Sequence, residues 1–133
     1  MLFDLDGTLI DSKSDLARSV NLMLEELGRP GLHEDTIGGF VGDGVRVLVY
    51  RSLTATDPER NPPGERLHKQ GVRLMLDHYA KQMLVTTRLF PRIAETLEHF
   101  GDKRKAVVTS KESSFTEALL EHFRIAQYFD CII

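Results

Sequence analysis

The sequence is poor in the features that define several large classes of protein. Its single cysteine, Cys131, excludes an internal disulfide and a multi-cysteine zinc site. No apolar run approaches the roughly 20 residues that span a bilayer, and Asp4 and Asp6 interrupt the N-terminal apolar stretch, so we find no signal-peptide pattern. The net charge of -3 argues against a basic nucleic-acid-binding surface. We therefore expect a cytoplasmic protein with neither nucleic-acid nor membrane partners.

What the sequence does contain is an ordinary globular composition, with 41% hydrophobic and 28% charged residues. Its 133 residues fit one domain, or one domain with a small insert. Met1 to Leu5, KAVVTS and YFDCII predict three strands, and a helical pattern lies between the last two. A helix between two strands implies a right-handed crossover and a parallel sheet. The block from Ser14 to Leu89 shows no convincing strand, which predicts a helical insertion after the first strand.

The most informative residues are two acids that stand at the carboxyl end of the first predicted strand, Asp4 and Asp6. Ligands bind at that end in parallel α/β sheets, and side chains at i and i+2 point to the same side of a strand. Two converging carboxylates repel each other, so they need a cation, a shared proton or both. Mg²⁺ suits such oxygen ligands. Alternatively, one carboxylate attacks phosphorus and the other protonates the leaving alkoxide.

Other polar groups are expected near the same mouth of the sheet. Thr109 and Ser110 end the second predicted strand, where a hydroxyl could donate to a phosphate oxygen. Gly7 and Thr8 offer backbone N–H groups in a tight turn, which suit the same anion. Asp43 and Arg46, in GDGVR, predict either a helix-capping turn or contact with the substrate.

These motifs resemble those of the haloacid dehalogenase superfamily. FDLDGTLIDS looks like its first signature, VVTS looks like its second, and the helical insertion resembles its small helical cap. FVGDGVRVL, LFPRIAETLEHF and the segment from AVVTS onward are similar in order and spacing to phosphoglycolate phosphatases. The resemblance covers essentially the whole chain.

The resemblance implies an α/β fold, with a Rossmann-like parallel core in residues 1–13 and 90–133 and a helical cap in residues 14–89. It implies a Mg²⁺-dependent phosphomonoester hydrolase for a small phosphorylated metabolite, with 2-phosphoglycolate as the leading candidate. Asp4 would be the nucleophile and a Mg²⁺ ligand. Asp6 would be the general acid and then the base, with its backbone carbonyl on the metal, and Thr109 would bind the transferring phosphoryl group.

Two family elements are not found in these residues: a later lysine, for which Lys111 is not a convincing substitute, and a distal acidic G-D-x-x-x-D segment. We therefore expect a truncated chain with an incomplete core, inactive by itself, that forms a homodimer or associates through an edge strand. A phosphomutase of the same superfamily and a non-catalytic binding module remain alternatives. A dehalogenase is disfavoured, since that branch lacks the second acid and Asp6 is present.

Overall fold

The fold consists of short strands and helices, with four consecutive helices between the second and third strands. The computed structural model describes residues 1–133. In chain order, the elements are β1 (Leu2–Phe3), β2 (Ile10–Asp11), α1 (Lys13–Glu26), α2 (Glu34–Gly38), α3 (Val45–Ala55), α4 (Glu65–Gln82), β3 (Arg88–Leu89), α5 (Ile93–His99), β4 (Ala106–Val107), α6 (Ser113–His122) and β5 (Cys131–Ile132), with a 3₁₀ turn at Ala126–Tyr128. None of the helices combines the length and the apolarity that crossing a membrane requires.

The central sheet is parallel, as the sequence predicts. Its strand order is β1-β4-β5, so β1 lies at one edge. Leu2 lies opposite Ala106, and Ala106 lies opposite Cys131 on its other side. Helix α6 connects β4 to β5, and helices α1 to α4 come between β1 and β4. The molecule is therefore an α/β fold with a helical insert after the first strand, and we use "helical insert" for residues 13–82 throughout.

Helix α1 forms the inner wall of the helical insert. Leu16, Val20, Met23 and Leu24 recur at helical spacing and are all buried. The helix ends at Glu26, and Gly28 just beyond it has a φ of +69°, in the left-handed region that glycine adopts without strain. This stop turns the chain away from the helix before α2 begins.

Helices α3 and α4 pack against each other at close range. At Gly71 of α4, a Cβ atom would lie 2.8 Å from Val49 Cγ1 and 3.3 Å from Leu53 Cδ1. Both of these α3 side chains are fully or almost fully buried, so they have little room to move. Gly71 thus sets the separation between the two helices.

A second, two-stranded sheet joins the two segments that connect the core to the helical insert. Ile10 lies opposite Leu89 and Asp11 opposite Arg88, in antiparallel register. The sequence did not predict this pair, because strands of two residues carry no measurable periodicity. The first strand, predicted over Met1 to Leu5, is also shorter than predicted and contains only Leu2–Phe3.

Asp15 ties the same two connecting segments together. Its carboxylate accepts hydrogen bonds from the backbone N–H and the hydroxyl of both Thr86 and Thr87, over 2.6–3.0 Å. Arg18 Nη1 donates to the same carboxylate at 2.8 Å. Burial raises the pKa of Asp15, but the hydrogen bonds from the two threonines outweigh burial and lower the pKa to about 2. The start of α1 is therefore fixed to the segment before β3.

Candidate active site

A cleft lies at the carboxyl ends of β1 and β4, between the sheet and the helical insert. Its polar side includes Asp4, Asp6, Thr109, Ser110, Lys111 and Glu112. Its apolar side comes largely from the insert, through Val41, Val45, Leu48, Met75 and Tyr79. The cleft has about 600 Å³ of empty space, a figure that includes the part open to solvent. The structure thus brings together Asp4, Asp6, Thr109 and Ser110, the four residues that the sequence predicted at one end of the sheet.

Asp6 is held through one of its two carboxylate oxygens. Oδ1 accepts a hydrogen bond from the Ser12 hydroxyl at 2.5 Å and lies 3.1 Å from Lys111 Nζ. Ser12 reaches Asp6 because Gly7, at φ +82°, turns the chain back on itself. Oδ2 has no protein partner in the structure. The carboxylate is therefore oriented on one side and free to meet a ligand on the other.

Lys111 is the residue that sequence reasoning set aside and the structure places in the site. Its side chain is only 7% exposed and contacts both Asp6 and Tyr79. Burial lowers the pKa of the Lys111 ammonium, and the Asp6 carboxylate opposes that shift. The only sequence signal for this role was a lysine two residues after Thr109, and the direction of its side chain could not be predicted from the sequence.

Tyr79 closes the cleft from the side of the helical insert. The residue is 3% exposed, and its ring packs edge-on against Phe115 with the centroids 5.1 Å apart. Lys111 Nζ lies 4.2 Å from the centre of the Tyr79 ring and donates to its hydroxyl. Burial, together with the carboxylates of Asp6 and Asp15, raises the pKa of Tyr79, so the hydroxyl keeps its proton. Tyr79 is therefore a cleft residue that the sequence motifs did not identify.

Asp4 differs from Asp6 in having no partner outside its own segment. Its Oδ1 accepts a hydrogen bond from the N–H of Leu5 at 2.8 Å, and the residue is exposed. Asp4 lines the cleft and also a shallower groove that continues from it past Thr109 and Ser110. An exposed carboxylate with an open oxygen can bind a cation or attack an electrophile.

The oxygen donors of the cleft fit Mg²⁺ better than a softer metal. No three His, Cys, Asp or Glu side chains cluster closely enough to form a complete protein cage. Mg²⁺ retains several waters and is usually bound through one or two carboxylates together with substrate phosphate oxygens. Asp4 matches that requirement, and the Asp6 side chain adds negative charge beside it.

Thr109 and Ser110 lie at the end of β4, as the sequence predicts, and the structure shows what holds them. The Thr109 N–H donates to the carbonyl of Ile133 at 3.0 Å, and its Oγ1 accepts from the N–H of Lys111 at 3.2 Å. The Ser110 hydroxyl donates to the carbonyl of Gly42, at 3.2 Å, in the helical insert. The Thr109 hydroxyl proton therefore remains available to an anion in the cleft, whereas the Ser110 hydroxyl proton is donated to Gly42.

The backbone amides of Gly7 and Thr8 are used within their own turn. Gly7 N–H donates to the carbonyl of Ile10 at 2.9 Å, and Thr8 N–H donates to that of Leu5 at 3.3 Å. Neither residue lines the cleft. The structure therefore does not bring these two amides to the position that the sequence predicted for them.

Asp43 and Arg46 lie outside the cleft, although their neighbours Gly42, Gly44 and Val45 line it. Asp43 pairs with Arg51 across 3.0 Å at the surface of the helical insert. The Arg46 side chain is exposed, as its position on the outer face of α3 dictates. A role for either residue in substrate choice stays a prediction.

Comparison with known proteins identifies relatives for the whole chain. The model of a family described as haloacid dehalogenase-like hydrolase matches residues 1–133. The phosphoglycolate phosphatase of Nitrosospira multiformis is 38% identical over 135 residues, which cover 100% of this chain and 59% of that protein. The phosphoglycolate phosphatase of Vibrio parahaemolyticus is 38% identical over 129 residues, which cover 96% of this chain and 57% of that protein.

A solved structure shares the fold just described. The crystal structure of a predicted phosphoglycolate phosphatase from Haemophilus somnus matches with a TM-score of 0.92 at 30% identity. The match covers 99% of this chain and 60% of that one. The chain thus spans between 57% and 60% of the length of these three relatives.

Proposed function

The chain belongs to the haloacid dehalogenase-like hydrolase family, and on that basis we propose that the protein is a Mg²⁺-dependent phosphomonoesterase for a small phosphorylated metabolite. The observation that carries the proposal is the convergence of Asp4, Asp6 and Thr109, from two separate strand ends, on one cleft. The phosphoglycolate phosphatases among its relatives make 2-phosphoglycolate the first substrate to test.

The proposed reaction has two steps. In the first, a carboxylate oxygen of Asp4 attacks phosphorus, the bond from phosphorus to the leaving oxygen breaks, and Asp6 donates its proton to the leaving alkoxide. In the second, water attacks the aspartyl-phosphate while Asp6 takes up the proton of that water. The bond between Asp4 and phosphorus then breaks and releases inorganic phosphate.

The surrounding residues would position the phosphoryl group and balance its charge. The Thr109 hydroxyl would donate to one of its oxygens, and the Ser110 hydroxyl would do so on exchanging the Gly42 carbonyl for the phosphate. The Lys111 ammonium would offset negative charge that gathers beside Asp6. Mg²⁺, when bound by the Asp4 carboxylate and the Asp6 backbone carbonyl, would supply further positive charge for the phosphate oxygens. The apolar wall from the helical insert would exclude bulk water from the reacting atoms.

The experiment measures phosphate release by the full-length protein from 2-phosphoglycolate and from an aryl phosphate, with Mg²⁺ and with a chelator. Acid quenching followed by mass spectrometry should place a phosphoryl group on Asp4. Asp4→Asn should lower turnover on the order of 10³-fold or more, because it removes the nucleophile. The matched control is Asp77→Asn, an exposed carboxylate on α4 outside the cleft.

Two results would contradict the proposal. Undiminished turnover in Asp4→Asn would exclude the covalent step. No phosphate release from any ester, with Mg²⁺ present and the protein folded, would favour the non-catalytic binding module instead.

A further inference from the structure

One buried contact links the helical insert directly to the carboxylate that transfers protons. Tyr79 lies on α4 of the insert, whereas Asp6 and Lys111 follow β1 and β4 of the sheet. Lys111 Nζ donates to the Tyr79 hydroxyl and lies 3.1 Å from Asp6 Oδ1. The three side chains therefore form a chain that crosses the cleft from insert to core.

Because Lys111 is buried, its hydrogen-bond partners determine the position of its ammonium group. An ammonium group has three donors and no acceptor, and a donor left without a partner in a buried site is strongly disfavoured. Lys111 has only Asp6 and Tyr79 as side-chain partners. Removing the Tyr79 hydroxyl would leave Asp6 as the only side-chain partner of the Lys111 ammonium and would free the long side chain to adopt other rotamers.

The position of Lys111 in turn affects Asp6. The oxygen that Lys111 approaches is the same one that accepts the Ser12 hydrogen bond, so both groups fix the rotation of a single carboxylate. Ser12 is buried, at 3% exposed, and lies between β2 and α1, so it is close to Asp6 along the chain and does not need Tyr79 to reach it. The contribution of Lys111 depends on the insert being in place, because Tyr79 belongs to the insert.

We propose that Tyr79 is a positioning residue: its hydroxyl holds Lys111 against Asp6 when the helical insert is seated, so that the acid–base carboxylate is correctly oriented only in the closed cleft. The catalytic part of this inference rests on the proposed phosphatase function. The contact between Lys111 and Tyr79 does not depend on that function, so the contact and its catalytic role can be tested separately.

The first test is a double-mutant cycle in the full-length protein. Tyr79→Phe keeps the ring that packs against Phe115 and removes only the hydroxyl. We expect kcat for phosphate release to fall about tenfold, the effect of losing a hydrogen bond to a charged group, with KM nearly unchanged. In a Lys111→Met background the same substitution should have no further effect, because Tyr79 acts through Lys111. Tyr50→Phe is the matched control, since it removes an exposed tyrosine hydroxyl from the same insert.

The second test does not depend on activity. Reductive methylation of lysines, followed by mass spectrometry, reports how readily the Lys111 amine is reached. Lys111 should react slowly in the unsubstituted protein and several times faster in Tyr79→Phe, with the exposed Lys69 as internal reference and Tyr50→Phe unchanged. Thermal unfolding of both variants would verify that the fold is retained.

The outcomes separate the two proposals. Unchanged methylation of Lys111 in Tyr79→Phe would overturn the positional link. Faster methylation with unaltered kcat, or additive losses in the cycle, would overturn the positioning role and leave a purely structural contact. An unsubstituted protein without phosphatase activity would contradict the proposed function, while the methylation rates would still decide whether Tyr79 holds Lys111.

Discussion

At the scale of the residue, the two carboxylates of the cleft differ in what surrounds them. Asp4 is exposed and accepts only the N–H of the next residue. Asp6 is fixed by a serine hydroxyl and a buried ammonium on one oxygen. A nucleophile needs an unencumbered oxygen, whereas a proton donor and acceptor needs a defined orientation. The surroundings therefore favour the roles that the family resemblance implied, Asp4 as nucleophile and Asp6 as acid and base.

The role of Asp6 leads to a prediction for its amide variant. Asp6→Asn keeps the size of the side chain but can neither protonate an alkoxide nor accept a proton from water. Turnover should fall on the order of 10²–10⁴-fold, the usual contribution of a general acid or base, while the protein remains folded. Asp11→Asn, which alters a nearby acid outside the cleft, is the control. Near-normal rates of phosphate release in Asp6→Asn would show that the acid–base assignment is wrong.

Asp15 should contribute more to stability than any surface acid. Its buried carboxylate is surrounded by donors, so Asp15→Asn would point an N–H₂ group at other N–H or O–H groups and leave some of them unpaired. We expect the free energy of unfolding at pH 7, measured with urea, to drop by about 2 kcal/mol or more. The same substitution at the exposed Asp77 should change it by less than about 0.5 kcal/mol.

The pH dependence of this contribution follows from the lowered pKa. The pKa of Asp15 is about 2 in the folded protein against 3.8 as the ordinary value. The unfolded chain thus takes up the proton first as the pH falls, which favours unfolding. The stability from Asp15 is complete above about pH 4 and is lost toward pH 2, so the difference between the unsubstituted protein and Asp15→Asn should shrink over that interval. A difference that stays constant down to pH 2 would mean that the threonine hydrogen bonds do not hold Asp15 ionised.

At the scale of the element, the pair of β2 and β3 is where the chain enters and leaves the helical insert. Two short strands in antiparallel register resist separation but can twist, since only two residue pairs connect them. Asp15 adds a second tie between the same segments. At the cleft, hydrogen bonds join the insert to the core through the Tyr79 hydroxyl and the carbonyl of Gly42, and the two units also share buried apolar side chains. This arrangement is typical of a unit that pivots at one end and closes at the other.

We therefore predict that the insert moves as one body about β2 and β3. Crystal structures with and without vanadate, a phosphate analogue, should differ by a rotation of residues 13–82 as a unit. Within the insert, Cα positions should agree to about 1 Å or better. The contacts of Asp15 with Thr86 and Thr87 should persist in both, while those of Lys111 with Tyr79 should be present only in the closed form. An insert that sits identically in several crystal environments would count against the hinge.

The parts of the structure that the sequence could predict are those governed by local pattern or by topology. The parallel sheet follows from a helix between two apolar strands, and the convergence of Asp4, Asp6 and Thr109 follows because parallel strands end at one edge. The pairing of β2 with β3 was not predictable, since it joins segments some 80 positions apart through two residues each. The contact of Lys111 with Tyr79 depends on how the insert is seated, which no local pattern specifies.

At the scale of the whole molecule, the sheet presents an open edge and exposed apolar side chains. Strand β1 pairs with β4 on one side only, so the backbone groups on its other side have no strand partner. Leu2 in that strand is 73% exposed, and Ile133 beyond the opposite edge strand is 67% exposed. An unpaired strand with apolar side chains is a template for pairing with another chain.

The 133-residue chain should therefore associate through the edge of β1, and a charge placed on that edge should prevent it. Light scattering and sedimentation should show dimers or larger species at micromolar concentration. Leu2→Lys should shift them toward monomer, because natural edge strands avoid association through lysine side chains. Val85→Lys is the matched control: Val85 is also exposed and apolar, at 59%, but lies between α4 and β3, outside the three-stranded sheet. If the unsubstituted chain is a monomer, or if Val85→Lys has the same effect as Leu2→Lys, β1 is not the site of association.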